Sequence, residues 1–265
     1  GICPQSVLHA VREHMEQLEQ SGDNGHSAAL WREVKEGVGQ FLNCSAEEIA
    51  FTRNTTEGSN IVCNGLQLQP GDEIITSSHE HVGNTITWLA RAQRDGLSIR
   101  VFEPANDGGK TVERIEALLS KRTRAISIPH VSCASGQVLP VENIGQIAKT
   151  YGLFYFVDGA QALGCTAVDL QKIGCHAYAT SGHKWLLGPN GTGFLFVHRD
   201  WLDRVQATHV GAYSNAGDFS METGIFSFIE SAQRYEYGTI NASLIAGLGA
   251  VLSFWQTIGA DAIWQ

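Results

Sequence analysis

Apolar residues recur at helical spacing through the first forty positions, then give way to short apolar runs alternating with amphipathic stretches. Val7, Ala10, Val11 and Met15 form one stripe, which predicts a helix over Ser6–Glu19. A polar, glycine-containing break at Gly22–Ser27 follows, and Val34, Val38, Phe41 and Leu42 carry a second helix over Leu30–Leu42. Ser45-Ala46-Glu47-Glu48 has the form of a capping box that opens one more short turn. Ile49–Thr52 reads as a brief strand delivering the chain to Asn54-Thr55-Thr56-Glu57, with a helix predicted over Ser59–Leu66. Thr55 and Thr56 then fall at a helix N-terminus. Free backbone N–H groups and the helix dipole suit that place to an anion, while simple capping is the alternative use of the hydroxyls.

From there the pattern alternates. Strands are predicted at Glu73–Ser77, Ser98–Phe102, Ala125–Pro129 and Phe154–Asp158, separated by helices at Asn84–Arg94, Val112–Leu119 and Val141–Thr150. Such alternation predicts an α/β fold, a three-layer α/β/α sandwich with a mostly parallel central sheet. Ligands in such sheets bind beyond the carboxyl ends of the strands. Four polar clusters follow strand ends here: His79-Glu80-His81, His130–Cys133, Asp158–Gln161 and Ser181–Lys184. The last lies in Ala177–Val197, which reads as strand, polar turn, glycine-rich loop and strand. Beyond it His209–Tyr237 reads as irregular, and Asn241–Ile258 as a long helix.

Bulk composition narrows the classes. The 265 residues are 43% hydrophobic and 17% charged, enough for one sizeable core or one large domain plus part of a second. Eighteen basic against 27 acidic residues give a net charge of −9, which argues against nucleic acid or an anionic membrane as partner. No apolar run reaches the roughly 18 residues a membrane span needs. Six cysteines (3, 44, 63, 133, 165, 175) show neither a CxxC pair nor metal-ligand spacing, and most read as reduced core residues of a cytoplasmic protein. Gly1-Ile2-Cys3-Pro4 has no signal-peptide pattern and no initiator methionine, so the chain reads as a fragment or a trimmed product.

The strand-end clusters supply candidate chemistry. Lys184 precedes Trp185-Leu186-Leu187, so its ammonium sits at the edge of apolar surroundings; taken alone it reads as a lysine snorkelling to solvent, and the alternative is one that has lost its proton more readily, as a Schiff-base nucleophile needs. The other lysines (35, 110, 121, 149, 172) read as solvated. Asp158 closes an apolar strand and needs a cationic or N–H partner: a protonated pyridine, an arginine or a metal ion. No second carboxylate or histidine stands at ligand spacing, which counts against metal. His81 could stack on a flat ring, act as acid or base, or cap the helix at Gly83; Ser181 and His183 could donate to a phosphate. Gly188–Gly193 (GPNGTG) lacks the ending of a phosphate loop and reads as a turn. Together these are the protein-side parts of a pyridoxal 5'-phosphate site.

The motifs Asn54–Gly58, Glu80-His81, His130-Val131-Ser132, Val157–Gln161, Ser181–Lys184 and Gly238-Thr239 occur in the order of the class V aminotransferases, and the chain resembles that family over nearly its whole length. This fold type I group includes cysteine desulfurases, selenocysteine lyases and isopenicillin N epimerase-like proteins. The resemblance implies that Lys184 forms the internal aldimine and moves the proton at Cα. Asp158 keeps the pyridine nitrogen protonated, Gln161 bonds the phenolic oxygen and His81 stacks on the ring. Thr55, Thr56, Ser181 and His183 lie at the phosphate. Thr239, after Gly238, reaches the phosphate of a neighbouring subunit in a homodimer. Ser132 and Cys133 flank the ring oxygen, Cys133 standing where desulfurase-like members place asparagine. The implied organisation is a helical segment at 1–20, a pyridoxal-phosphate-binding large domain at 21–240, and a helix at 241–265 leading to an absent C-terminal small domain. That domain carries the substrate arginine and, in desulfurases, a sulfur-accepting loop cysteine, which none of the six cysteines matches. The implied activity is desulfurase-like or C–S lyase-like on a cysteine-type amino acid. Epimerase or aminotransferase activity is the alternative, and a catalytically silent cofactor-binding fragment or dimerisation scaffold is the reading of another class. A nucleotide-binding domain is disfavoured, since no glycine fingerprint follows the first strand.

Overall fold

The computed structural model describes residues 2–23, 25 and 27–259. Its centre is a seven-stranded sheet of β1 (Ile49–Thr52), β2 (Glu73–Ser77), β3 (Ser98–Phe102), β4 (Thr123–Pro129), β5 (Phe154–Asp158), β6 (Ala177–Ser181) and β7 (Gly193–Val197). The order is β1-β7-β6-β5-β4-β2-β3, and only β7 runs antiparallel to its neighbours.

Apolar runs form these strands because the sheet is covered on both faces. On β5, Tyr155 and Val157 join one core, with Val34 and Val38 of α2 (Ala28–Leu42) and Ile144 of α6 (Val141–Tyr151). Phe154 and Phe156 point the other way, into a core with Ile61 and Val62 of α3 (Thr55–Gly65) and Trp88 of α4 (Val82–Asp95). Two cores, filled by alternate residues of one strand, make the three layers expected from the sequence.

Helix starts follow the sequence chemistry. Asn54 accepts the Glu57 N–H at 2.9 Å and so starts α3 at Thr55, four residues before the predicted start. Asp107 caps α5 (Gly108–Glu116) through the Lys110 N–H at 2.9 Å, again ahead of the predicted Val112. The capping box at Ser45 is present, with the Glu48 carboxylate accepting the Ser45 N–H at 3.1 Å. A short helix, α7 (Leu170–Ile173), was not foreseen. The final helix, α8 (Ala242–Ile258), packs on α1 (Gln5–Ser21) and α2, while positions 260–265 of the stretch read as 241–265 lie outside the described residues.

Three expectations are corrected. His209–Tyr237 is not irregular throughout, since Asn215–Ser220 (β8) and Ile225–Phe228 (β9) form an antiparallel hairpin. Asn-Ala-Gly-Asp-Phe-Ser has no apolar alternation, so the strand signal is absent from its pattern. The six cysteines are free, and Cys63 and Cys175 are buried with Cys3 and Cys44 packed part-buried against the core, but Cys133 and Cys165 are exposed and the core reading fails for them.

The third correction is Lys35, which is buried rather than solvated. Its Nζ lies 2.7 Å from Glu236 Oε1, with 8% and 2% of the two side chains exposed. The same oxygen accepts the Phe51 N–H at 2.8 Å, and the ammonium sits 5.4 Å from the Phe51 ring centre. The pair therefore ties the segment leading to Gly238-Thr239 onto α2 and β1. Removing one member leaves the other charged in a dry site. Lys35→Met is expected to cost roughly 3 kcal/mol in urea unfolding, and adding Glu236→Gln to recover more than half of it. A cost below about 1 kcal/mol for the single variant contradicts this role for the pair.

Candidate active site

The carboxyl ends of β2, β4, β5 and β6 place the candidate residues on one rim. Asp158 ends β5, in register with Pro129 of β4 and Ala179 of β6, and is 5% exposed. Its Oδ1 accepts the Ala160 N–H at 2.9 Å. Burial pushes its carboxyl above the usual carboxylate range, against the opposing pull of the Ala160 N–H, the Lys184 ammonium and His81. A carboxylate in that position is stabilised by a further cationic N–H group.

Beside it stands a group the sequence reading left outside the site. Burial, and then the charge of Asp158, push the Glu80 carboxyl well above its ordinary range, with the Asn84 side chain and the His81 N–H offsetting only part. Both Glu80 oxygens are buried without a hydrogen bond of ordinary geometry. Asn84 continues the polar chain inward: its Nδ2 donates to Ser127 Oγ at 3.1 Å, which also accepts the Trp88 indole N–H at 2.8 Å. Asp158 thus has a second carboxyl within electrostatic reach, although among the described residues no group of three His, Cys, Asp or Glu side chains could hold a metal ion. The signal was Glu80's place between two histidines at a strand end, but its approach to Asp158 depends on strand order.

Two helix starts meet nearby. The N–H of Thr55, the first residue of α3, donates to Ser181 Oγ at 3.2 Å, and the two hydroxyls lie 2.7 Å apart. His81 caps α4, its Nδ1 accepting the Gly83 N–H at 3.0 Å, which leaves Nε2 as the ring's available donor. A Cβ at Gly83 would stand 2.6 Å from Thr56 Oγ1 and 3.0 Å from His81 Nδ1, which is why only glycine lets the first turns of α3 and α4 approach so closely. Hydroxyls of Thr55, Thr56 and Ser181 at converging helix N-termini form a cradle for an anion.

Lys184 follows β6 on a compact loop. Gly182 N–H donates to Thr192 O at 2.8 Å, Gly188 N–H to Gly182 O at 2.7 Å, and Leu187 takes a left-handed φ of 68°. That backbone is strained for leucine, and strain of this kind persists where surrounding structure enforces it. Trp255 of α8 does so by donating its indole N–H to Leu186 O at 2.8 Å. Lys184 and His183 are half-buried, Leu186 is fully buried, and Trp185 is 53% exposed. The GPNGTG motif lies in this loop between antiparallel β6 and β7.

The remaining candidates are more scattered. Gln161 is half-buried and its Oε1 accepts the Trp185 indole N–H at 2.8 Å. Ser132 is buried, but its Oγ accepts the N–H groups of Ala134 and Ser135, both at 3.2 Å, within its own loop. Cys133 is exposed on that loop, and Thr239 is exposed beyond Tyr237, whose hydroxyl accepts from Arg53 at 3.1 Å. The structure therefore gathers Asp158, Lys184, His81, Thr55, Thr56 and Ser181, and leaves Ser132, Cys133 and Thr239 at the margin.

The Glu80 geometry has a consequence for stability. A carboxyl with a raised folded-state pKa binds more protons folded than unfolded, so its own contribution to stability is fully present below its unfolded pKa of about 4 and is lost as pH rises through the raised value. Glu80→Gln should flatten that fall and leave the cofactor-free protein more stable than wild type at neutral pH. Urea unfolding at several pH values reads the difference, and parallel profiles for the two proteins contradict it.

A sequence profile of the class-V aminotransferases matches residues 2–265. A probable cysteine desulfurase of Methanothermobacter thermautotrophicus is 34% identical over 97% of the chain and 64% of its own length. The cysteine desulfurase of Serratia proteamaculans is 38% identical over 87% of the chain and 57% of its own length. The chain thus spans about three-fifths of these relatives. Among solved structures, the cystine C–S lyase C-DES in complex with its product cysteine persulfide superposes with a TM-score of 0.91 at 30% identity, covering 100% of this chain and 72% of the lyase. A lysine-to-alanine variant of C-DES, with glycine covalently linked to its pyridoxal phosphate cofactor, matches with the same TM-score and identity, covering 100% and 71%. The chain belongs to the class-V aminotransferase family.

Proposed function

We propose that the chain forms the cofactor-binding part of a pyridoxal 5'-phosphate enzyme that cleaves the C–S bond of a cysteine-type amino acid. The observation that carries this reading is the buried Asp158 carboxyl, held above its usual range at the end of β5 and within electrostatic reach of Lys184 and His81. The residues present fit the cofactor. Asp158 suits a ring N–H, the Thr55–Ser181 pair with Thr56 and the two helix starts suits a phosphate, and a half-buried primary amine stands on the same rim. The desulfurases and the C–S lyase among the relatives support the choice of bond.

Bound there, pyridoxal phosphate supplies an electron sink for the charge released at the substrate Cα. Asp158 holds the proton on the pyridine nitrogen. Lys184 Nζ would attach the cofactor and, as a free amine, would carry the Cα proton. His81, oriented by its cap on Gly83, covers a ring face and excludes water. Gln161 would donate to the phenolic oxygen, and the loop of Ser132 and Cys133 would approach it only from the margin. Thr55, Thr56, Ser181 and His183 would hold the phosphate, and Thr239 from the second subunit of a homodimer would complete its shell. Positions 21–240 form the cofactor-binding domain. Six free cysteines fit a reducing, cytoplasmic setting, and no helix among the described residues is long and apolar enough to cross a membrane.

Purified protein given pyridoxal phosphate and excess dithiothreitol is expected to release sulfide from L-cysteine, with alanine where the added thiol takes the sulfur or pyruvate and ammonia where it does not; without the thiol, L-cystine is expected to give cysteine persulfide, pyruvate and ammonia. Lys184→Ala should lower that release by at least about a hundredfold, the scale of losing a positioned acid–base group. Racemised or transaminated amino acid without sulfur release contradicts C–S cleavage.

A further inference from the structure

Trp185 is large, apolar and 53% exposed, and it follows directly on Lys184. Its one polar atom is committed: the indole N–H donates to Gln161 Oε1 at 2.8 Å. An indole nitrogen is a donor only, whereas a glutamine amide is an acceptor on one side and a double donor on the other. This bond therefore forms with only one of the two amide orientations, and it leaves the Gln161 Nε2 hydrogens turned away from Trp185.

The two residues sit on stiff, mutually packed backbone. Gln161 lies in the turn after β5, where Ala162 N–H donates to Gly159 O at 2.9 Å and the Ala160 N–H holds Asp158 at 2.9 Å. The same turn continues to Gly164, with φ of 88°, where a Cβ would collide with the Trp185 carbonyl. On the other side, Leu186 O is fixed by the Trp255 indole. Amide, indole, lysine and aspartate thus belong to one braced unit.

We infer that Trp185 is a positioning residue that locks the Gln161 amide with its Nε2–H groups facing the phenolic oxygen of the cofactor. The inference rests on the proposed cofactor reading. A free amide turns either face to that oxygen, and its carbonyl face repels a phenolate. With the donor face held in place, the phenolate is stabilised most when the nitrogen joining Lys184 to the cofactor has lost its proton. The lock therefore lowers the pH at which that nitrogen deprotonates. It also makes the residue after the lysine part of the tuning of the site, although its ring is largely in solvent.

The test is a pH titration of the visible absorption of the cofactor-loaded protein, for wild type, Trp185→Phe, Trp185→His, Gln161→Leu and the Trp185→Phe/Gln161→Leu double variant. Trp185→Phe should raise the midpoint by about one pH unit, the scale of one hydrogen bond. Gln161→Leu should raise it at least as far, and the double variant no further than Gln161→Leu alone, because the indole acts through the amide. Trp185→His keeps a ring N–H and should return part of the shift. If Gln161→Leu moves the midpoint and Trp185→Phe does not, the locking role fails and the cofactor reading stands. Additive shifts in the double variant also overturn it. If Gln161→Leu moves nothing, the amide does not face the oxygen and the inference falls with that contact. Absence of any visible absorption in wild type overturns the cofactor reading itself.

Discussion

A carboxyl group buried at the end of the middle strand of a parallel sheet sets the terms for everything around it. Asp158 is 5% exposed and stands in register with Pro129 at the end of β4 and Ala179 in the middle of β6. Left to burial alone such a group keeps its proton, and here burial does hold its acidity below normal. The neighbouring Ala160 N–H, Lys184 and His81 pull the other way, while Glu80 adds a second buried carboxyl that cannot ionise freely beside the first. In the proposed reading a ring nitrogen bearing a proton would resolve that competition by pairing with Asp158.

The rest of the molecule can be understood as support for that arrangement. Alternate residues of β5 feed two separate cores, so the strand is gripped from both faces and its end is held in place. The loop carrying Lys184 is braced from α8 by the Trp255 indole, and it retains a left-handed leucine at 187. Helices α3 and α4 bring their first turns together through Gly83, gathering hydroxyls and a capping histidine where an anion is favoured. The buried Lys35–Glu236 pair holds the approach to Thr239 against β1.

Much of this was legible in the apolar pattern. Runs such as Phe154–Val157 announce strands covered on both faces, and strand-end polar clusters mark the rim before any coordinates are known. What stayed hidden depends on which strands are neighbours and which loops cross. Glu80 was visible as a residue, but its approach to Asp158 follows from the strand order. Lys35 lies in an amphipathic helix and looked solvated, because its partner Glu236 comes from the far end of the chain. The β8–β9 hairpin escaped since its first strand is polar and exposed, with no periodicity to read. The Trp185–Gln161 bond joins two loops whose contact no spacing rule foretells.

The central claim is that Lys184, alone among six lysines, is the amine that holds the cofactor opposite Asp158. Borohydride reduction of the cofactor-loaded protein, followed by proteolysis and mass mapping, tests it most directly. One modified peptide, containing Lys184, is expected at near one cofactor per chain. A modification on any other lysine, spread over several, or absent would contradict it.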